Sequence, residues 1–116
     1  MDGHTKVSDS PPNEAIQALE AILGDEATRE VVRLFLHDFP ESVRRIAGAG
    51  REDQMRIIHG LKSSALHMGA TGLSETLASL EDKLGTPGET LGMADLSPAI
   101  GDFGAASPGL RKYAGA

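Results

Sequence analysis

The chain contains no cysteine and no tryptophan, and its aromatic residues are limited to three phenylalanines and one tyrosine. The missing cysteine excludes a disulfide framework and any thiolate-bound metal. Because bulky rings are scarce, the core must be built mainly from Leu, Ile, Val and Ala side chains. An aliphatic, alanine-rich composition of this kind favours a bundle of helices.

Positive charge is also scarce, since 11 Lys and Arg residues face 17 Asp and Glu residues and the formal net charge is −6. An acidic chain without a basic cluster argues against nucleic acid as a partner. No apolar run approaches the roughly 18 residues needed to cross a membrane. The polar start, MDGHTKVSDSPP, lacks the apolar segment of a signal peptide. We therefore expect a soluble, cytoplasmic protein, and we expect it to be a monomer.

The length of 116 residues predicts one domain. Residues 1–12 are predicted to be a disordered tail and residues 13–116 the helical domain. Helical spacing of apolar residues predicts helices over about 13–23, 26–47, 51–68 and 71–84. Glycines and prolines then interrupt the pattern, and Ser97-Pro98 and Ser107-Pro108 each resemble a helix cap followed by a first-turn proline. The predicted fold class is all-α: an antiparallel four-helix bundle with an additional short N-terminal helix and an irregular C-terminal helix.

His59 begins the segment HGLKSSALHMGA, which covers residues 59–70. At about 100° per residue, His59 lies roughly 160° from the centre of the core-facing side of its helix, so we expect it to face solvent. Lys62 and Ser63 follow at the i+3 and i+4 positions, where side chains can meet the imidazole. Met55 and Leu66 are apolar residues on the same broad side, which also carries Arg56. The sequence therefore leaves two interpretations open: a docking patch around His59, or ordinary scattered surface residues.

The register of the predicted helical hairpin suggests a partner for His59. The turn lies near Gly69 and Ala70, and we expect Gly69 to end the helix. His59 is eleven residues before Ala70 and Glu81 is eleven residues after it. A carboxylate at that height can bind one ring nitrogen, fix the tautomer and leave the other nitrogen as a nucleophile. The alternative is that Glu81 is a solvated surface residue.

These residues resemble the histidine-containing phosphotransfer (Hpt) domain of two-component phosphorelays. The family pattern of His, Leu-Lys, small residues and a final Gly-Ala is matched by a set of positions in the third predicted helix: His59, Leu61, Lys62, Ser64, Ala65, Met68, Gly69 and Ala70. Leu80 and Glu81 match a pair on the next helix, and Phe35 and Pro40 match a pattern in the second. The resemblance covers about residues 13–85.

The resemblance implies that His59 accepts a phosphoryl group from a receiver-domain phospho-aspartate and passes it to another receiver aspartate. It implies that Lys62 and Ser63 stabilise the phosphoryl group, that Glu81 orients the imidazole, and that Met55, Arg56 and Leu66 belong to the docking surface. Response-regulator receivers and a hybrid histidine kinase are the implied partners. The receiver supplies Mg²⁺, so this chain is expected to need no metal, nucleotide or other cofactor and to be a carrier rather than an enzyme.

One residue departs from the family pattern and one different function stays open. Ser63 occupies a position that is usually glycine, beside His59, and its side chain can slow transfer or change partner choice.

The alternative function is a helical docking regulator that binds a receiver or kinase without carrying phosphate. A metal site is not favoured, because His67 lies about 80° around the helix from His59. A serine nucleophile at Ser63 or Ser64 lacks an oxyanion hole.

Overall fold

The computed structural model describes residues 10–116, and five helices account for most of them. They are α1 (Glu14–Leu23), α2 (Asp25–Ala47), α3 (Arg51–His67), α4 (Thr71–Leu84) and α5 (Met93–Ala114). No strand occurs among the described residues, which confirms the all-α fold class. Most of the tail predicted over residues 1–12, together with His4, lies outside the described residues.

Helices α2 to α5 form an antiparallel bundle. Arg51 at the start of α3 donates to the Leu84 carbonyl at the end of α4, so the two helices run in opposite directions. On α5, Asp102 accepts from Thr76 and Asp95 accepts from Lys83, which sets α5 antiparallel to α4. Helix α5 also runs antiparallel to α2, because Arg33 near the start of α2 binds the Ala114 carbonyl.

The hydrophobic core lies mainly between these four helices and is aliphatic apart from Tyr113 and one cluster of three phenylalanine rings. The predicted core residues of α2 and α4 are all buried: Val32, Phe35, Leu36, Phe39, Val43, Ile46, Leu73, Leu77, Leu80 and Leu84. Phe39 of α2 stacks on Phe103 of α5 with ring centroids 4.3 Å apart, and Phe35 meets the same ring edge-on at 5.8 Å. The few aromatic rings are thus concentrated where α5 closes the bundle.

The start of helix α1 packs against the bundle near the end of α3. The Asn13 side chain caps α1 by accepting from the Ile16 amide, and it donates to the Met68 carbonyl at the end of α3. Ile16 is fully buried. Ile22 and Leu23 follow Ile16 at helical spacing, but both are exposed.

The final helix is continuous where the sequence predicted interruptions. Asp95 accepts from the Gly92 amide and anchors the start of α5 before Ser97, so Pro98 and Pro108 lie inside the helix rather than in first turns. A proline in a helix interior costs about 3 kcal/mol. Burial of several apolar side chains, each contributing about 1.5–3 kcal/mol, outweighs that cost; they are Leu96, Phe103, Leu110 and Tyr113. Packing therefore overrides the local signals.

Candidate functional site

The candidate site lies on the outer surface of the α3–α4 hairpin, at the middle of α3 and near the end of α4. His59 projects from α3 and its side chain is 66% exposed. The expected exposure follows from the amphipathic pattern of α3, in which Ile58, Leu61 and Ala65 are buried and turn the opposite side outward. The site therefore presents an accessible imidazole on a rigid helix.

Glu81 of α4 lies across from His59 and binds it. Its Oε2 atom is 2.7 Å from His59 Nδ1, and its side chain is 26% exposed. Because a carboxylate can only accept, this contact places a proton on Nδ1. In the uncharged ring Nε2 then carries the lone pair, and Nε2 has no hydrogen-bond partner among residues 10–116. The hairpin register thus brings together the two residues that the sequence analysis paired.

Lys62 shares the same carboxylate. Its Nζ atom donates to Glu81 Oε1 over 2.5 Å, and its side chain is also 26% exposed. The Lys62 hydrogen bond, followed by that of His59, lowers the pKa of Glu81 below its ordinary value of 4.5. Glu81 is therefore ionised at neutral pH, and one carboxylate fixes both a lysine and a histidine of α3.

Ser63 lies one turn after His59 on α3 and is half-buried. Its hydroxyl has no hydrogen-bond partner within the described part of the chain, so it remains available to a group bound at the site. Gly60, beside His59, is exposed, and a Cβ added there would meet open space. The surface next to the imidazole is consequently low and open to a partner.

The predicted docking residues divide into two groups. Leu66 and Arg56 are exposed, as predicted for a docking surface. Leu66 is 56% exposed and lies two turns beyond His59, and Arg56 pairs with Asp53 at 2.7 Å. Met55 does not fit the expected exposed patch, because it is half-buried and packs against the core. The apolar surface around His59 is therefore smaller on the Met55 side than the sequence predicted.

Gly69 ends the turn after α3 with φ +71°, a conformation that favours glycine. It also lies against the Asn13 side chain, and an added Cβ would collide with it. A second structural residue, Gln54, was missed by the sequence analysis. It is buried, donates to the carbonyls of Ile46 and Leu91, and accepts from the Leu91 amide at 2.8–2.9 Å. No sequence signal distinguished it from its exposed polar neighbours.

His37 and His67 do not join the site. His37 pairs with Asp38 at 3.1 Å on α2, and His67 lies two turns from His59. Across residues 10–116 no group of three or more His, Cys, Asp or Glu residues is arranged to hold a metal ion. None of the helices in that range is long and apolar enough to cross a membrane.

Comparison with known proteins identifies a family. The family model described as the Hpt domain matches residues 30–106, which is most of the chain and includes His59, Lys62 and Glu81. No curated protein and no solved structure matches at a significant level.

Proposed function

The chain belongs to the Hpt family, whose domains carry phosphoryl groups on histidine in two-component phosphorelays, and we propose that His59 is the residue that carries the group here. In this proposal His59 accepts it from a receiver-domain phospho-aspartate and passes it to another receiver aspartate. The observation that carries the proposal is an exposed imidazole whose Nδ1 is bound by Glu81, so that Nε2 faces an incoming partner.

The nucleophile that this chain supplies is the lone pair of Nε2. Nε2 attacks the phosphorus of the acyl phosphate, an N–P bond forms, and the P–O bond to the aspartate breaks. The electron pair of that bond leaves with the aspartate carboxylate. The ring becomes positively charged while Nδ1 keeps its proton, and the Glu81 carboxylate on that proton stabilises the charge. The reverse sequence delivers the group to the next receiver.

Lys62 is proposed to stabilise the phosphoryl group. Its ammonium has three donors and only one is used by Glu81. Since Lys62 and His59 bind the two oxygens of a single carboxylate, the ammonium lies beside the ring that receives the phosphate. Phosphoryl transfer depends mainly on positioning and charge neutralisation, and Lys62 supplies both. The half-buried Ser63 hydroxyl adds a hydrogen-bond donor on the same side of the helix.

The proposal assigns the remaining chemistry to the partners. Response-regulator receivers bind Mg²⁺ in their own acidic pocket, and a hybrid histidine kinase supplies phosphate upstream, so this chain is a carrier without its own metal or nucleotide. All four residues that the proposal uses, His59, Lys62, Ser63 and Glu81, lie on one chain, which supports action as a monomer. We place the exchange in the cytoplasm with those partners, and propose no role for nucleic acid or membrane.

The test is phosphoryl transfer from the complete set of receiver domains of the source organism, each phosphorylated with acetyl phosphate in Mg²⁺. The parent should acquire acid-labile, alkali-stable phosphate, and the His59→Gln variant should acquire none. His67→Gln is the matched control, since it removes an exposed histidine of the same helix and should be labelled like the parent. Absence of labelling from every receiver would reject the proposal. A receiver that binds tightly yet stays phosphorylated would favour the docking regulator, with the exposed Leu66 and Ser63 beside His59 as its contacts.

A further inference from the structure

A groove runs along the seam between α2 and α3 and encloses a cavity of about 510 Å³. Apolar residues from both helices line it, including Leu34 and Phe35 from α2 and Ile57 and Leu61 from α3. Leu34 is 55% exposed although it is a large apolar residue. Gly60, the neighbour of His59, also lines the groove, so the groove is continuous with the candidate site.

The groove carries arginines at one end and an aspartate further along. Arg45 of α2 and Arg56 of α3 lie at the end nearest the α2–α3 turn, where both also line a second depression. Asp38 lies on the same side of α2 as Arg45, seven residues earlier, which is about 10 Å along a helix. Arg56 is paired with Asp53, whereas Arg45 forms no ion pair within the described part of the chain and has only a minor electrostatic influence on Glu41, one turn earlier. Three arginines and one aspartate line the second depression, so this end of the groove is locally positive in a chain of net charge −6.

We propose, resting on the function above, that this groove seats apolar side chains of the receiver domain and that Arg45 determines which receivers bind. A receiver whose aspartate reaches Nε2 of His59 must also cover Gly60 and Arg56, and its surface then extends over the groove. Burial of Leu34 supplies affinity, because an exposed apolar side chain gains most from being covered. Arg45 selects receivers that carry an acidic residue at this end, since charge complementarity governs specificity and association rate more than affinity alone.

The selection has a direction along the groove. The receiver surface that fits has an acidic residue opposite Arg45 and no acidic residue about 10 Å away opposite Asp38, with apolar side chains between them. A receiver with the opposite order places like charges together at both positions, which is unfavourable. The two α2 charges therefore act as a pair that distinguishes receivers of similar shape.

The experiment measures transfer to the full chain over a range of concentrations of the receiver domain that labels His59 fastest. That receiver is phosphorylated with acetyl phosphate in Mg²⁺. Arg45→Glu should raise KM roughly 10-fold at low salt, with the difference shrinking in 0.5 M NaCl, because it removes an electrostatic contact. The rate at saturating receiver should stay unchanged, since Arg45 does not touch the reacting atoms. Arg111→Glu makes the same charge change on an exposed part of α5 and should behave like the parent.

The apolar part of the proposal has its own pair of variants. Leu34→Gln should raise KM at both salt concentrations, whereas Ile22→Gln, which alters an exposed apolar residue on α1 outside the groove, should not. Melting curves show whether each variant is folded. If the parent is labelled normally and Arg45→Glu matches Arg111→Glu, the role of Arg45 is wrong while the proposed function stands. If no receiver labels the parent, the proposed function and this inference fail together.

Discussion

Glu81 Oε2 lies 2.7 Å from His59 Nδ1, although the two residues are 22 positions apart in the chain. The contact joins two neighbouring antiparallel helices at equal distances from their turn. It fixes which imidazole nitrogen carries the proton, and the same carboxylate holds Lys62. The reactivity of the site therefore depends on the register of the α3–α4 hairpin as much as on the residues of α3.

Loss of the Lys62 charge should slow transfer far more than it weakens the fold. We expect Lys62→Met to reduce the labelling rate at saturating receiver roughly 10- to 100-fold, because it removes a charged donor beside the transferred group. The melting temperature should change little, since the ion pair with Glu81 is partly exposed and such pairs contribute about 0–1 kcal/mol. Lys112→Met, on the exposed end of α5, is the control. Equal rates for Lys62→Met and the parent would remove the proposed role.

The Glu81 contacts should make stability depend on pH in the acid range. The folded-state pKa of Glu81 lies below its ordinary value of 4.5, so the contribution of these contacts is complete above pH 4.5 and is lost as the pH falls through the lowered pKa. The parent should therefore resist urea better than Glu81→Gln at pH 7, by less than about 1 kcal/mol because the pair is partly exposed. At pH 3 this margin should shrink.

The matched control for Glu81 is Glu75→Gln, which alters an exposed glutamate of the same helix. It should show no comparable margin at pH 7. A Glu81→Gln margin that stays constant between pH 7 and pH 3 would mean that the carboxylate charge is not what stabilises the hairpin.

Gly69 should tolerate substitution less well than another glycine with positive φ. Gly69→Ala and Gly115→Ala both place a Cβ at a positive φ, at a cost of about 1–2 kcal/mol. Gly115 has open space around it, whereas Gly69 lies against Asn13. We expect Gly69→Ala to lower the free energy of unfolding by at least about 1 kcal/mol more than Gly115→Ala.

A double-mutant cycle separates the cost of the positive φ at Gly69 from the cost of the collision with Asn13. In an Asn13→Ala background, the additional cost of Gly69→Ala should largely disappear, because the colliding side chain is gone. Full additivity of the two substitutions would show that the backbone conformation alone explains the glycine.

Gln54 should be essential for stability although it is polar and remote from the site. Gln54→Leu keeps the volume but leaves the Leu91 carbonyl and amide without their buried partner, while the Ile46 carbonyl still accepts from the Ala49 amide. Each buried unsatisfied group costs about 1–3 kcal/mol, so we expect a loss of at least about 2 kcal/mol in urea unfolding. Gln17→Leu, on the exposed side of α1, should be nearly neutral. A neutral Gln54→Leu would show that the segment before α5 is held by packing alone.

The sequence alone determined the positions of α2, α3 and α4 and the outward direction of His59, and it offered the pairing with Glu81 as one of two alternatives. Each of these depends on local quantities: the 3.6-residue period of the apolar residues and the register of two helices joined by a short turn. The apolar residues of α5 also follow this period, but two prolines and several glycines interrupt the pattern. These local signals predicted a broken helix, and that prediction was wrong.

The tertiary structure decided the features that depend on packing between helices distant in sequence. It made α5 continuous through Pro98, because Phe103 packs on Phe39 and the buried surface outweighs the cost of the prolines. It also decided that Met55 is half-buried and that a groove lies between α2 and α3 beside His59. Side-chain periodicity shows which face of a helix is buried, but the gaps between helices are set by how closely their particular side chains interdigitate.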